Sequence, residues 1–242
     1  MEQEGIRLNK FIASSGVCSR RDADKLIEQG KVTLNGRTAL VGDRVFPKDS
    51  VKIGSRLLKL PENYTVIAFY KPVNVTCTER DEHAEYTIYD VFKYKERMTY
   101  AGRLDKDSEG LLIMTNDGDL INTMMKAGNN HEKEYIVEVN KYVSDEVLDK
   151  IAGGVYLSEL KRKTRPCKTK RISKNSFSIV LTEGMNREIR RMCGMFDLKV
   201  NMLKRVRVVT VTLGGLKPGE YRILSNEEVS VLKESLYGKQ KQ

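Results

Sequence analysis

The chain has 242 residues, 40% hydrophobic and 31% charged, with 43 Lys and Arg against 33 Asp and Glu. That apolar share supports a packed core and excludes wholesale disorder. No apolar run approaches the roughly 20 residues that cross a bilayer, so no membrane partner is expected. The formal charge of +10 is unevenly spread: residues 1–60 carry +5 (12 basic, 7 acidic), residues 61–160 carry −8 (11 and 19), and residues 161–242 carry +13 (20 and 7). Two basic regions around an acidic middle predict surfaces that grip a polyanion. Clustered Lys and Arg bind nucleic acid by releasing its counterions.

The N-terminal stretch MEQEGIRLNK has no apolar run or cleavage-like site, so no signal peptide is expected. Cys18, Cys77, Cys167 and Cys193 form no C-x-x-C pair, and His83 and His131 lack metal-ligand spacing. The reading is a cytoplasmic protein with no metal and no cofactor.

In chain order, Leu8, Phe11 and Ile12 predict a helix over 6–15, stopped by Gly16. Ser19 is an N-cap candidate for a second helix that ends at Gly30. Asn35-Gly36 predicts a hairpin, because both central residues of that turn need positive φ. Short strands follow near 50–53 and 56–59. Residues 54–63, with Pro61, form a boundary, which divides the chain into residues 1–60 and 61–242. The second part opens with a buried-strand candidate at 64–70. Further strands are expected at 111–116, 134–139, 177–183 and within 200–213. Helices are expected from 119 to Gly128, after Ser144, over 186–196, and after Ser225, where Glu228 completes a capping box. Strands and helices alternate without a regular βαβ beat, so the fold class is α+β with a mixed, mainly antiparallel sheet.

In the head, Arg20 and Arg21 open the second helix, where the helix dipole also favours phosphate. Lys10, Lys25, Lys31 and Arg37 are candidates for the same phosphate-binding surface. The stretch Leu8-Asn9-Lys10-Phe11-Ile12, Ser19-Arg20, Ala23, Ile27, Gly30, Val32, Asn35-Gly36 resembles an S4 RNA-binding domain.

The segment 101–120 crowds Arg103, Asp105, Asp107 and Glu109 ahead of an apolar strand. Asp105, Asp107, Glu109 and Gly110 fit the first positions of a calcium loop. The closing Glu is replaced by Asn116, and no helix pair flanks the segment, which disfavours calcium. An ordinary turn ion pair between Arg103 and Asp105 is the structural alternative. A carboxylate among apolar residues needs a compensating cation, and such pairs often mark sites.

Gly102-Arg103-Leu104-Asp105, Ser108, Gly110-Leu111-Leu112-Ile113 and Thr115-Asn116-Asp117-Gly118 resemble the catalytic signature of RsuA-class pseudouridine synthases. Tyr70-Lys71-Pro72, Lys133-Glu134-Tyr135 and the block from Glu183 to Met192 agree with that class in order, with Asn74 in place of Gly and Glu188 in place of Gln. The resemblance covers essentially the whole chain. It implies isomerisation of a uridine in ribosomal RNA, of the large-subunit (23S) type, and leaves a transfer RNA stem-loop open as a second substrate; a monomeric enzyme is expected.

The same resemblance assigns roles. Asp105 is the essential carboxylate, as nucleophile or as base at the ribose. Arg190 makes its ion pair, and Arg187 and Arg191 are phosphate or stacking groups. Arg103, two residues before Asp105, shares its side of a strand and fills the place of the flipped base. Tyr135 stacks on the uracil, and Lys71 belongs with the RNA-binding residues. Glu188 is expected to face solvent. Asn74 is expected to tolerate positive φ.

The segment 161–174 holds eight basic residues and no acid, and is read as an RNA-contacting loop or ribbon, with Lys161, Arg162 and Lys163 as contacts. The competing readings are a non-catalytic RNA-binding or ribosome assembly factor, and a metal-dependent enzyme using Asp105, Asp107 and Glu109.

Overall fold

The computed structural model describes residues 4–78, 84–126 and 130–238. Two units emerge. One holds the chain up to Thr65 together with Tyr94–Thr99 and Asn116–Gly118; the other holds the rest. His83, Gly128 and the final KQKQ lie outside the described residues.

In the first unit, α1 (Leu8–Ser14) and α2 (Arg20–Glu28) lie ahead of four strands, β1 (Val32–Leu34), β2 (Arg37–Thr38), β3 (Val51–Ile53) and β4 (Arg56–Leu57), in the order β2-β1-β3-β4. Leu8, Ile12, Ala23 and Ile27 recur at helical spacing and are buried with Val32, Leu34 and Val51. The Ser19 hydroxyl accepts the Asp22 backbone N–H, which fixes the start of α2. Asn35 and Gly36 both take positive φ, 53° and 83°, as the hairpin requires. Helix α1 starts two residues later than its apolar spacing suggests, because Ile6 and Arg7 pair with Val45 and Arg44.

The central sheet of the second unit contains β5 (Val66–Lys71), β6 (Glu109–Thr115), β7 (Lys133–Val139), β8 (Lys168–Arg171), β9 (Ser176–Leu181), β10 (Val200–Val208) and β11 (Tyr221–Ile223). Their order is β8-β9-β7-β10-β6-β5-β11. Every neighbouring pair along this path is antiparallel except β6 with β10. Among the described residues, five helices accompany the sheet: α3 (Ile88–Val91), α4 (Gly118–Met125), α5 (Asp145–Ala152), α6 (Glu188–Gly194) and α7 (Asn226–Tyr237). Strands β5 and β6 are continuous apolar runs because both their faces are covered. Val137, Val139, Phe177 and Leu203 pack with Leu148 and Ile151 of α5 and with Ile189 and Met192 of α6. A second core joins Val66, Ala68, Leu111 and Ile113 to Leu120 of α4 and to Leu232 and Leu236 of α7. Ser144 caps α5, and Ser225 with Glu228 forms the capping box of α7.

The parallel step is short, pairing Glu109 and Gly110 with Lys204 and Arg205. Gly110 sits there at φ +106°, and a Cβ on it would stand 2.3 Å from the Arg205 carbonyl oxygen. Only glycine allows so close a backbone approach. Among the described residues, no helix is long and apolar enough to cross a membrane.

Candidate active site

Residues 102–108 form a loop that leads into β6. Gly102 turns it at φ 85°, the Ser108 N–H donates to the Asp105 carbonyl (3.1 Å), and the Asn74 N–H donates to the Lys106 carbonyl (2.7 Å). Asn74 adopts φ 65°, the left-handed conformation expected of it. Arg103 and Asp105 lie in this loop and not on a strand. Leu104 between them is buried, and both charged neighbours reach the surface.

The ion pairing differs from the motif-based expectation. The Arg187 guanidinium donates twice to the Asp107 carboxylate (3.0 and 2.8 Å) and stands 3.9 Å from Asp105. Arg190 does not pair with Asp105. Its Nη2 donates to the Asp107 carbonyl (2.7 Å), its Nη1 to the Val200 carbonyl (3.1 Å), and its Nε is 3.3 Å from the Asp107 carboxylate. The reason lies in the backbone. Arg187 is the residue before α6, in the left-handed conformation (φ 52°), and reaches out to the loop. Arg190, inside the helix, spends its reach on the backbone carbonyls of Asp107 and Val200. Asp107, held below the usual carboxylate range by the Arg187 hydrogen bonds, is the clasp between loop and helix.

Tyr135 lies on β7, packed against the core of Val137 and Val139. The β7–β10 register shifts between Glu134, which faces Arg207, and Tyr135, which faces Arg205. Val206 is thus the extra residue of a β-bulge, a device that re-aims side chains near sites. The Arg205 side chain is buried. Its Nε donates to the Leu111 carbonyl (2.7 Å) and its Nη1 to the Arg103 carbonyl (3.4 Å), tying β10 to the Asp105 loop.

Asp105, Arg103, Tyr135, Arg187 and Arg205 all line one cleft of about 660 Å³ in the second unit, with Arg162 on its wall. Lys71, Lys161, Lys163, Arg190 and Arg191 do not line it. Lys71 is not an RNA contact: it is fully buried at the end of β5, its ammonium donates to the Pro72 carbonyl (2.7 Å), and burial lowers its pKa to about 8. Glu188 does not face solvent. It is 4% exposed, accepts the Met185 N–H (2.9 Å), and burial pushes its carboxyl up to about 7, with Glu183 adding to the rise. The carboxylates of the calcium reading have protein partners: Asp107 has arginines, and Glu109 accepts the Tyr70 hydroxyl (2.9 Å). Among the described residues no group of three or more His, Cys, Asp or Glu is placed to hold a metal.

The basic segment 161–174 becomes a two-residue strand, Arg162–Lys163, paired with Tyr156–Leu157, followed by edge strand β8. Lys161, Arg162 and Lys163 are exposed; Arg162 also pairs with Glu183 (2.9 Å). Arg191 is held by Glu159 and the Asn186 carbonyl. In the first unit Arg20, Arg21, Lys25, Lys31 and Arg37 are exposed and Lys10 is half-buried, while Arg37 is engaged by Asp43 through two hydrogen bonds. Sequence reasoning passed over Arg205, Asp107 as the clasp, and the buried state of Glu188. Charge alone does not separate such residues from their exposed neighbours.

Residues 65–194 match the family model described as RNA pseudouridylate synthase, and residues 6–51 match the S4 domain model. The chain is 43% identical, over 95% of its own length and 79% of theirs, to proteins named dual-specificity RNA pseudouridine synthase RluF from Escherichia coli (strain K12) and Shigella flexneri. It is 35% identical over 91% of its length to an uncharacterized RNA pseudouridine synthase of Rickettsia typhi, covering 92% of that protein. A crystal structure titled as a pseudouridylate synthase superposes with a TM-score of 0.69 at 29% identity, covering 94% of this chain and 99% of that one. With an S4 domain ahead of an α+β body whose cleft gathers these motif residues, the chain belongs to the RNA pseudouridylate synthase family and is an RNA pseudouridine synthase.

Proposed function

We propose that the enzyme isomerises a specific uridine of 23S ribosomal RNA in the cytoplasm, acting as a monomer without cofactor or metal. The observation that carries the site assignment is the convergence of Asp105, Tyr135, Arg103 and Arg187 on one cleft. The reaction breaks the N1–C1′ bond of uridine, turns the uracil, and joins C5 to C1′; the C5 proton leaves and N1 gains one. A base inside folded RNA must leave its stack to be reached. Asp105 attacks or deprotonates at the ribose, Tyr135 stacks on the uracil and accepts the C5 proton, and Arg103 fills the place of the flipped base. Arg187, at 3.9 Å, is the cation that accompanies Asp105; Arg190 acts one step back, by holding Asp107 and the loop.

In this reading residues 1–60 are an RNA-binding head, with Lys10, Arg20, Arg21, Lys25, Lys31 and Arg37, and residues 61–242 are the catalytic body. Lys161, Arg162 and Lys163 grip RNA phosphates, and Arg187 and Arg191 assist. Relatives named as dual-specificity enzymes support a second RNA substrate; in this reading it is a transfer RNA stem-loop.

Tritium release from RNA labelled at uridine C5 tests the assignment. Wild type should release label with or without chelator, and Asp105→Asn should lose at least about a thousandfold in rate, the upper part of the range for positioned acid–base groups. Release that stops with chelator would instead support a metal-dependent enzyme. Release from neither ribosomal nor transfer RNA would support an RNA-binding factor.

A further inference from the structure

Glu183 and Glu188 lie on the same wall of the cleft, one turn of chain apart, and bracket the segment that carries Arg187. The Glu183 carboxylate accepts two hydrogen bonds, from Arg162 at Oε2 (2.9 Å) and from the Arg165 backbone N–H at Oε1 (2.5 Å), and keeps further lone pairs to accept with. Glu188 is buried, its Oε2 accepts the Met185 N–H, and its Oε1 is buried with no donor among the described residues. An ionised oxygen in that position would bear the full cost of desolvation. A protonated one can donate to Glu183, whose carboxylate lies within hydrogen-bonding reach of it. The position is Gln in the motif this block resembles, and a neutral carboxylic acid offers the same pair of groups as an amide, one donor and one acceptor.

We propose that Glu188 works as a neutral carboxylic acid, a positioning residue whose O–H bonds to Glu183 and holds residues 183–188 in the turn that presents Arg187 to the Asp105 loop. The charged and titratable groups facing it are Glu183, Arg162, Lys133 and Cys167. Arg162 is committed to Glu183, Lys133 is itself lowered by burial, and the Cys167 thiol is pushed up to about 11 and stays neutral. When Glu188 ionises, near pH 7, two carboxylates repel across the turn, and the hold on Arg187 is lost.

This inference rests on the cleft being the site of uridine isomerisation, and the experiment keeps the two apart. The kcat/KM for tritium release is measured from about pH 5.5 to 9 for wild type, Glu188→Gln and Glu188→Ala, with folding followed by circular dichroism. Wild type should fall about fivefold between pH 7 and pH 8, following the protonated fraction of a group with a pKa near 7. Glu188→Gln should keep the acid-side rate through that interval, and Glu188→Ala should be slow at every pH while folded. A flat wild-type profile, or a Gln variant with the same fall as wild type, overturns the proposal while leaving the isomerase assignment intact. No release by wild type at any pH overturns the assignment itself. Should the Gln variant fold poorly, the protonated-carboxyl infrared band of wild type decides: it must be present near pH 6 and titrate away with a midpoint near 7, and its absence overturns the proposal.

Discussion

Arg187 and Arg190 differ by three positions and perform different tasks. Arg187 reaches the loop from outside the helix and stands at ion-pair distance from Asp105. Arg190 is bound to the carbonyls of Asp107 and Val200. Arg187→Ala should therefore lower kcat by about a hundredfold through misplacement of the loop, with little change in melting temperature. Arg190→Ala should destabilise the fold by about 1–3 kcal/mol, as expected for removing charged hydrogen bonds to backbone carbonyls, one of them on buried Val200. Denaturant melts and single-turnover rates of the two variants distinguish these outcomes. Lys71 gives a pH test. Burial lowers its pKa from the ordinary 10.5 to about 8, so between those values the unfolded chain binds a proton that the folded chain does not. Stability relative to Lys71→Met should rise from about pH 8 to about pH 10.5, by up to about 3 kcal/mol. A pH-independent difference between the two proteins would show that the ammonium is not desolvated.

The parallel contact of β6 with β10 is the element on which the site is built. Gly110 lets the two backbones approach, and Arg205 crosses from β10 to the carbonyls of Leu111 and Arg103. The Asp105 loop leaves from the start of β6, so an error at the crossing is transmitted to Asp105. Gly110→Ala combines positive-φ strain with a Cβ forced against backbone, which costs about 3 kcal/mol or more. Its melting temperature should fall, and the remaining folded protein should isomerise slowly. A stable, fully active Gly110→Ala would rule out the crossing as the support of the loop. The bulge at Val206 acts with it, because without the extra residue Tyr135 would not stand opposite Arg205.

Across the whole molecule, charge and chemistry are segregated. The residues of the Asp105 loop come from the acidic middle of the chain, while the segment 161–174 places five of its eight basic groups on the edge strand of the sheet and on the paired strand Arg162–Lys163 before it. Neutralising Lys161, Arg162 and Lys163 together should weaken RNA binding and flatten its dependence on salt, by a slope change of up to about 3, since each phosphate contact contributes just under one. Binding isotherms at several salt concentrations measure this, and an unchanged slope would remove the segment from the RNA interface.

Much of the architecture was legible in the sequence because it is set by local rules. The caps at Ser19, Ser144 and Ser225, the Asn35-Gly36 turn and the apolar runs of β5 and β6 depend on near neighbours and on period. The motif around Asp105 likewise marked the loop that lines the cleft. Strand Ile6–Arg7 was not legible, because its partner lies nearly forty residues away. Nor were the ion pairing of Arg187, the burial of Lys71 or the environment of Glu188. Each is a charged residue in a charged string, and its state depends on which distant backbone carbonyl, carboxylate or core residue the fold brings beside it. The sequence by itself determined the domains' kinds, the reaction and the cleft-lining Asp105. Only the tertiary structure decided which arginine stands beside that carboxylate and which acid is buried, because desolvation and ion pairing are properties of contacts between segments far apart in the chain.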